Sequence, residues 1–142
     1  MMCDLRICGE SSRFGVPINR LGLTMAYPEI KALIGLVGRS TALEILFEGR
    51  VFGAVEALQK RLVNRVVADD KVEEESYATA RRIAEGAPLV NRWHKKFAER
   101  LSDLEPLTDA EFAEGYASFD TEDYQTGFRS FLAKSKPVFK GR

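Results

Sequence analysis

Few side chains in this sequence carry reactive chemistry, and their surroundings limit what each could do. His94 is the only histidine. Beside Trp93 it falls toward the polar side of its segment, so it reads as an exposed or supporting residue rather than a catalytic base. Cys3 and Cys8 are the only two thiols. Their spacing in a candidate strand points them to opposite faces, so both read as reduced, buried thiols that cannot easily bridge. A metal would need more ligands than these, and none is expected. The acidic run Glu73-Glu74-Glu75 sits where a helix would begin, as does Glu29, and a helix dipole favours anions there for structural reasons alone. There is no G-x-S-x-G and no G-x-x-x-x-G-K phosphate loop. Taken by themselves, these residues compose no active site.

The elements that would position them centre on Phe14 to Gly38. Phe14-Gly15-Val16-Pro17 reads as a strand end giving way to a loop, and Leu21-Gly22-Leu23 continues the apolar run. Pro28 suits the first position of a helix, whose inner face is Ile30, Leu33, Ile34 and Val37 and whose cap is Gly38. Before this stretch, Cys3, Leu5 and Ile7 alternate with polar residues as a strand ending near Cys8-Gly9-Glu10, followed by a turn at Ser11-Ser12-Arg13. After it, Ser40 as N-cap and Gly49 as C-cap bracket a helix from Thr41 to Glu48. Val51-Phe52 allows only a strand fragment. A short helix from Ala54 to Lys60 and a strand at Leu62-Val63-x-x-Val66-Val67 complete an alternation that predicts βαβ units.

From Asp69 onward the pattern is helical. Asp70 with Glu73 three residues on can cap a helix whose inner face is Val72, Ser76, Ala80 and Ile83. Ala87-Pro88 restarts a helix with Val90, Trp93, Phe97, Leu101 and Leu104 on one face. Thr108-x-x-Glu111 is a capping box, and Thr121 or Asp120 opens a last helix on which Tyr124, Phe128 and Phe131 share a face. The expected division is therefore residues 1–68 as an α/β portion and 69–142 as an all-helical portion, either an intrachain cap or an oligomer interface.

Composition narrows the partners. Lys plus Arg equals Asp plus Glu at 21 each, without the positive excess of a phosphate-backbone binder, so nucleic acid is not expected. Hydrophobic content of 45% argues against disorder in a chain of 142 residues. No apolar run approaches the ~20 residues that span a bilayer, and the opening residues do not resemble a secretory leader. Cytoplasmic residence is the default expectation.

Gly15, Pro17, Leu21-Gly22-Leu23, Leu36-Val37-Gly38, Ala42-x-Glu44 and Gly49-Arg50 together resemble part of the crotonase superfamily, the enoyl-CoA hydratase/isomerase-like proteins. The resemblance runs without a gap from Met2-Cys3-Asp4, similar to that family's CDxRIA strand, to Phe131 through Phe139, similar to its AFLEKRKPxF terminus. It implies the C-terminal part of a crotonase-like spiral of βαβ units followed by a helical region that builds a trimer or a dimer of trimers. It also implies that the N-terminal half of the family is lacking, and with it the N–H pair and one catalytic carboxylate. The expected substrate is an acyl-CoA thioester whose enolate is stabilised, with coenzyme A entering as part of the substrate and no tightly bound cofactor.

Residue by residue, the resemblance places Pro17, Ile18, Leu23 and Met25 at the substrate. Ile18 stands where hydratases carry Glu after Phe-Gly-x-Pro, and it has no titratable group, so no catalytic residue is assigned in this chain. Thr24 through Glu29 replaces a Gly-rich run, which implies a reshaped acyl pocket. Phe131 and Lys134 match positions that meet the nucleotide end of coenzyme A, the ammonium acting as a point charge for phosphate. Phe131 as a core residue and Lys134 as a solvated last-turn lysine stand level with that reading. Arg61 occupies a place where the family has Gly, so it is expected to hold a positive φ at the end of its short helix. Whether the chain itself is an enzyme stays open at this point, the alternative being a non-catalytic oligomerisation or binding module.

Overall fold

A computed structural model describes residues 3–142. Met2, at the head of the first matching run, lies outside the described residues. The chain forms two compact units, one ending at Tyr77 and the other beginning at Ala78. The first is mixed α/β and the second is helical.

In the first unit, β1 (Ile7–Gly9) pairs in parallel with β4 (Arg65–Val67), in register Ile7 with Arg65. Strand β2 (Arg13–Phe14) pairs antiparallel with β3 (Phe52–Gly53). The parallel pair needs a long crossover, as the alternation predicted, but the second pair is antiparallel and departs from a pure series of βαβ units. Strand β1 starts later than expected, because Arg6 is drawn out of the alternation: its N–H donates to Asn64 Oδ1 at 2.8 Å and its Nε to the Leu62 carbonyl at 2.7 Å. Those same bonds fix Leu62 to Asn64 outside the ladder, so β4 keeps only the last three residues of its predicted run. Cys3 is exposed and Cys8 half-buried, which corrects the expectation of two buried thiols; both are free.

Helices α1 (Tyr27–Val37) and α2 (Arg39–Glu48) are joined by Gly38 alone. Pro28 occupies the second helical position rather than the first, where its missing N–H is equally harmless. Gly38, at φ 78°, ends one helix and begins the next, so Ser40 falls inside α2 and is not its N-cap. Gly49 closes α2 at φ 52° as expected. Leu33, Ala42, Ile45, Phe52, Ala57 and Val63 form the buried core, with Ile34, Val37 and Leu46 packed against it.

Helix α3 (Ala54–Gln59) ends on the predicted strain. Arg61 has φ 62°, its N–H donates to the Leu58 carbonyl at 3.0 Å, and the Leu62 N–H donates to the Ala57 carbonyl at 2.9 Å. This pair of bonds is the Schellman arrangement, which satisfies two helix-end carbonyls and turns Leu62 back toward the core. A Cβ in the left-handed region costs roughly 1 kcal/mol. Arg61→Gly is therefore expected to raise stability by about 1 kcal/mol in a urea titration, and a destabilised variant would refute the assignment of strain.

Helix α4 runs Val72–Ala84 after a 3-10 turn at Asp69–Lys71, which takes Asp70 away from the expected N-cap position. Its inner side is also rotated from the expected one: Val72, Glu75, Ala78 and Thr79 are shielded, whereas Ser76, Ala80 and Ile83 are exposed. Glu75 is turned inward because it pairs with Arg65 on β4.

The second unit continues with α5 (Pro88–Arg100), α6 (Asp109–Glu114) and α7 (Glu122–Leu132). The Thr108 capping box is present: Thr108 Oγ1 accepts from the Glu111 N–H at 3.3 Å and the Thr108 N–H donates to Glu111 Oε2 at 2.8 Å. Thr121 caps α7 by accepting from the Tyr124 N–H at 3.0 Å. Leu101 and Leu104 lie beyond the end of α5, and Leu104 is 99% exposed, so the predicted apolar face stops at Phe97. Tyr116, Phe119, Tyr124 and Phe128 contact one another in succession, stacked except for the edge-to-face Phe119–Tyr124 pair, yet stay open to solvent.

Candidate functional site

The residues expected at the substrate sit on one loop of the first unit. Pro17 to Leu21 forms a 3-10 helix, Gly22 turns the chain at φ 68°, and the Leu23 N–H donates to the Ile18 carbonyl at 3.1 Å. Pro17, Ile18 and Leu23 are thus brought together, with Pro17 and Leu23 exposed and Ile18 half-buried. Met25 differs from them, because it packs against the core cluster.

Asn19 holds this loop in place, a role not visible in the sequence. Its Nδ2 donates to the Phe47 carbonyl at 2.9 Å, satisfying an end carbonyl of α2. The side chain lies over Gly49, where any Cβ would meet the Asn19 amide, so the left-handed glycine serves both the helix end and the loop. A loop asparagine together with a helix-ending glycine is the only local signal of this contact.

Glu29 has the structural role expected of it. Its Oε2 accepts from the Ala26 N–H at 2.6 Å, tying the carboxylate to the start of α1. The stretch from Phe14 to Ala26 contains no Asp or Glu at all. The loop therefore offers no carboxylate to move a proton.

Glu44 and Arg50, which carry part of the family resemblance, belong to an ion cluster rather than to the loop. Arg50 binds Glu48 and Glu56, and Lys60 Nζ lies 2.7 Å from Glu44 Oε1 and 3.4 Å from Glu56 Oε1. Both cations also sit over the Phe52 ring, at 5.6 and 5.9 Å from its centroid. The Arg50 guanidinium holds the Glu56 carboxyl down at about 2. Its partner Glu56 raises Arg50, and Glu44 raises Lys60. Such groups stay charged near neutrality and do not exchange protons there.

In the second unit, Phe131 is 81% exposed, so it is not a core residue. Lys134 is exposed and has φ 50°, the second non-glycine residue besides Arg61 with a positive φ among the described residues. Its N–H donates to the Phe131 carbonyl at 3.2 Å, and Ser135 N–H donates to the Ser130 carbonyl at 2.9 Å. Lys134 thus stands just past the last helical turn, closing α7 with the same arrangement that closes α3. The two side chains, three residues apart, are presented together at the end of α7.

Two features here were not anticipated. Between α5 and α6, Phe97, Leu101, Leu107, Phe112 and Tyr116 line a groove of about 430 Å³ edged by the Arg100–Glu111 ion pair. Arg100 and the Thr108 N–H hold the Glu111 carboxyl down at about 2. His94 is exposed, as the sequence predicts, and borders a cavity of only about 50 Å³ with Trp93 and Phe97.

Comparison with known proteins gives these features a family. The family described as enoyl-CoA hydratase/isomerase matches residues 1–142. The probable enoyl-CoA hydratase 2, mitochondrial, of Arabidopsis thaliana is 34% identical over 99% of this chain and 48% of its own length. The short-chain-enoyl-CoA hydratase of Clostridioides difficile is 37% identical over 92% of this chain and 86% of its own. Among solved structures, an enoyl-CoA hydratase/carnithine racemase from Magnetospirillum magneticum superposes with a TM-score of 0.94 at 53% identity, covering 99% of this chain and 52% of that one. The chain spans about half the length of the first of these relatives and of that solved structure. With the family match extending along the whole sequence and the fold shared at high identity, the chain belongs to the enoyl-CoA hydratase/isomerase family of the crotonase superfamily.

Proposed function

We propose that this chain is the C-terminal part of a protein that acts on an acyl-CoA thioester, stabilising its enolate in the full-length form, and that the 142 residues alone are inactive. The observation that carries the proposal is the family match over residues 1–142 in a chain that spans about half the length of relatives such as the Arabidopsis thaliana one. The Pro17–Leu23 loop would line the acyl pocket, and Phe131 with Lys134 would meet the nucleotide end of coenzyme A. Coenzyme A enters only as part of the substrate. The exposed aromatic succession from Tyr116 to Phe128 supports burial against further copies in a trimer or a dimer of trimers, since apolar patches of this kind mark interaction surfaces. Cytoplasmic residence belongs to the same proposal; no described helix is long and apolar enough to cross a membrane.

The second reading, a non-catalytic oligomerisation or binding module, is favoured by one observation: the site loop contains no carboxylate. A single preparation of the 142-residue chain tests both. With crotonyl-CoA, no hydration above the buffer rate is expected, and turnover would overturn the assignment of inactivity. By sedimentation at micromolar concentration an oligomer is expected, and a compact monomer would remove the trimer from the proposal.

A further inference from the structure

The segment after Lys134 does not leave α7 but returns along it. The left-handed turn at Lys134 reverses the chain. Halfway back, Phe139 lies over Gly127, where an added Cβ would come within 3.4 Å of its ring. At the start of α7 the return ends on a buried carboxylate. Asp123 is 2% exposed, and its two oxygens accept from the N–H groups of Lys140 at 2.7 Å and Gly141 at 2.8 Å. The Asp123 N–H in turn donates to the Arg142 carbonyl at 3.0 Å, and Arg142 Nε pairs with Glu122 at 3.0 Å. A buried carboxylate that receives backbone donors on both oxygens is a strong and directional tie. Residues 135–142 therefore form a strap along α7, anchored at one end by Asp123 and leading at the other directly into Lys134.

This geometry constrains a strained position. Lys134 has a Cβ in a region that favours glycine, and such a residue persists only where its surroundings over-determine it. The bonds from Lys134 and Ser135 to α7 are two of those constraints; the Lys136–Glu85 ion pair at 2.7 Å and the strap anchored on Asp123 follow directly behind them. Among the described residues, Lys134 makes no ion pair that would otherwise direct its ammonium. We infer that Asp123 is a positioning residue, which by closing the strap on α7 holds the Phe131–Lys134 turn so that the Lys134 ammonium faces the nucleotide phosphates of coenzyme A. The inference rests on the proposed acyl-CoA reading of that turn and adds to it the residue that orients it.

The test follows backbone amide NMR signals of the 142-residue chain while coenzyme A, or pantetheine as a probe lacking the nucleotide, is added. Coenzyme A but not pantetheine is expected to shift the signals of residues 131–135. Lys134→Gly, which keeps the turn and removes the charge, should weaken that response at least tenfold. Asp123→Ala should weaken it similarly while signals of α6 stay in place, and Asp123→Asn, keeping one acceptor oxygen, should fall between. Gly127→Val, whose branched side chain would crowd the Phe139 ring while the Asp123 carboxylate is retained, should match Asp123→Ala and decides the matter if the alanine variant does not fold. No response in the unaltered chain, or an unchanged one in Lys134→Gly, would overturn the acyl-CoA reading of the turn and the positioning role with it. A response lost in Lys134→Gly but intact in Asp123→Ala, or in Gly127→Val where the alanine variant is unfolded, would overturn the positioning role alone.

Discussion

Leu33→Ala is expected to lower the stability of this chain by about 3 kcal/mol, within the 2–5 kcal/mol that such truncations cost in well-packed cores. Leu33 is 1% exposed and is the largest fully buried side chain among the described residues. Two of its five partners in the core cluster are Ala42 and Ala57, which have no side-chain length with which to fill a void. A cavity at Leu33 would therefore stay open, and its cost adds to the lost burial of the removed methyl groups. The loss matters more here than in a larger core. Marginal stability of about 5–15 kcal/mol leaves little reserve, and among the described residues the core cluster contains six that are fully shielded, the others packed against it being only partly buried. Leu104→Ala is the internal control, because Leu104 is 99% exposed and its truncation should change stability by no more than about 0.5 kcal/mol. Urea unfolding followed by far-ultraviolet circular dichroism measures both variants, and equal midpoints would show that the neighbours of Leu33 close around the gap.

Such a core was legible because its signals are local and repeated. Ile30, Leu33, Ile34 and Val37 share one face of α1, and the structure shields all four. The Thr108 box and the left-handed Arg61 were equally accessible, one through a three-residue spacing and the other through a glycine missing from a familiar pattern. The failures also have physical causes. Ser40 was displaced because one glycine serves two helices, so no cap residue was needed between them. Leu101 and Leu104 continued an apolar period, but periodicity does not register where a helix ends. Asp123 was invisible because the donors it binds are backbone groups 17 and 18 residues away, which no side-chain pattern marks. Asn19 was hidden in the same way, its acceptor being the Phe47 carbonyl 28 residues on. Lys134 was placed by resemblance, but its left-handed backbone was not foreseen.

Ile18→Glu is expected to raise enoyl-CoA hydration by up to about 10²-fold, the lower end of what a positioned acid or base contributes, in a full-length chain. Such a chain can be made by joining these residues behind the remaining portion of the Magnetospirillum magneticum relative. The expectation starts from chemistry: hydration needs a group that activates water and returns a proton, and an isoleucine side chain can do neither. The geometry at Ile18 favours a replacement. Its backbone is fixed by the Leu23 N–H on its own carbonyl and by the Asn19 bond to Phe47 beside it, so a new carboxylate would be held in place rather than left mobile. Ile18 is half-buried, which leaves a glutamate enough solvent contact to ionise without the penalty of full burial. On the proposed acyl-CoA reading, the bulkier run that begins at Thr24 would act in the opposite direction by narrowing the space for substrate, and it separates the two possible outcomes. A rise in kcat with KM unchanged would show that the carboxylate was the missing group. No gain, with KM still high, would show that the reshaped segment and not Ile18 sets the limit, and replacing residues 24–27 by the relative's own sequence should then release the activity that the glutamate alone did not.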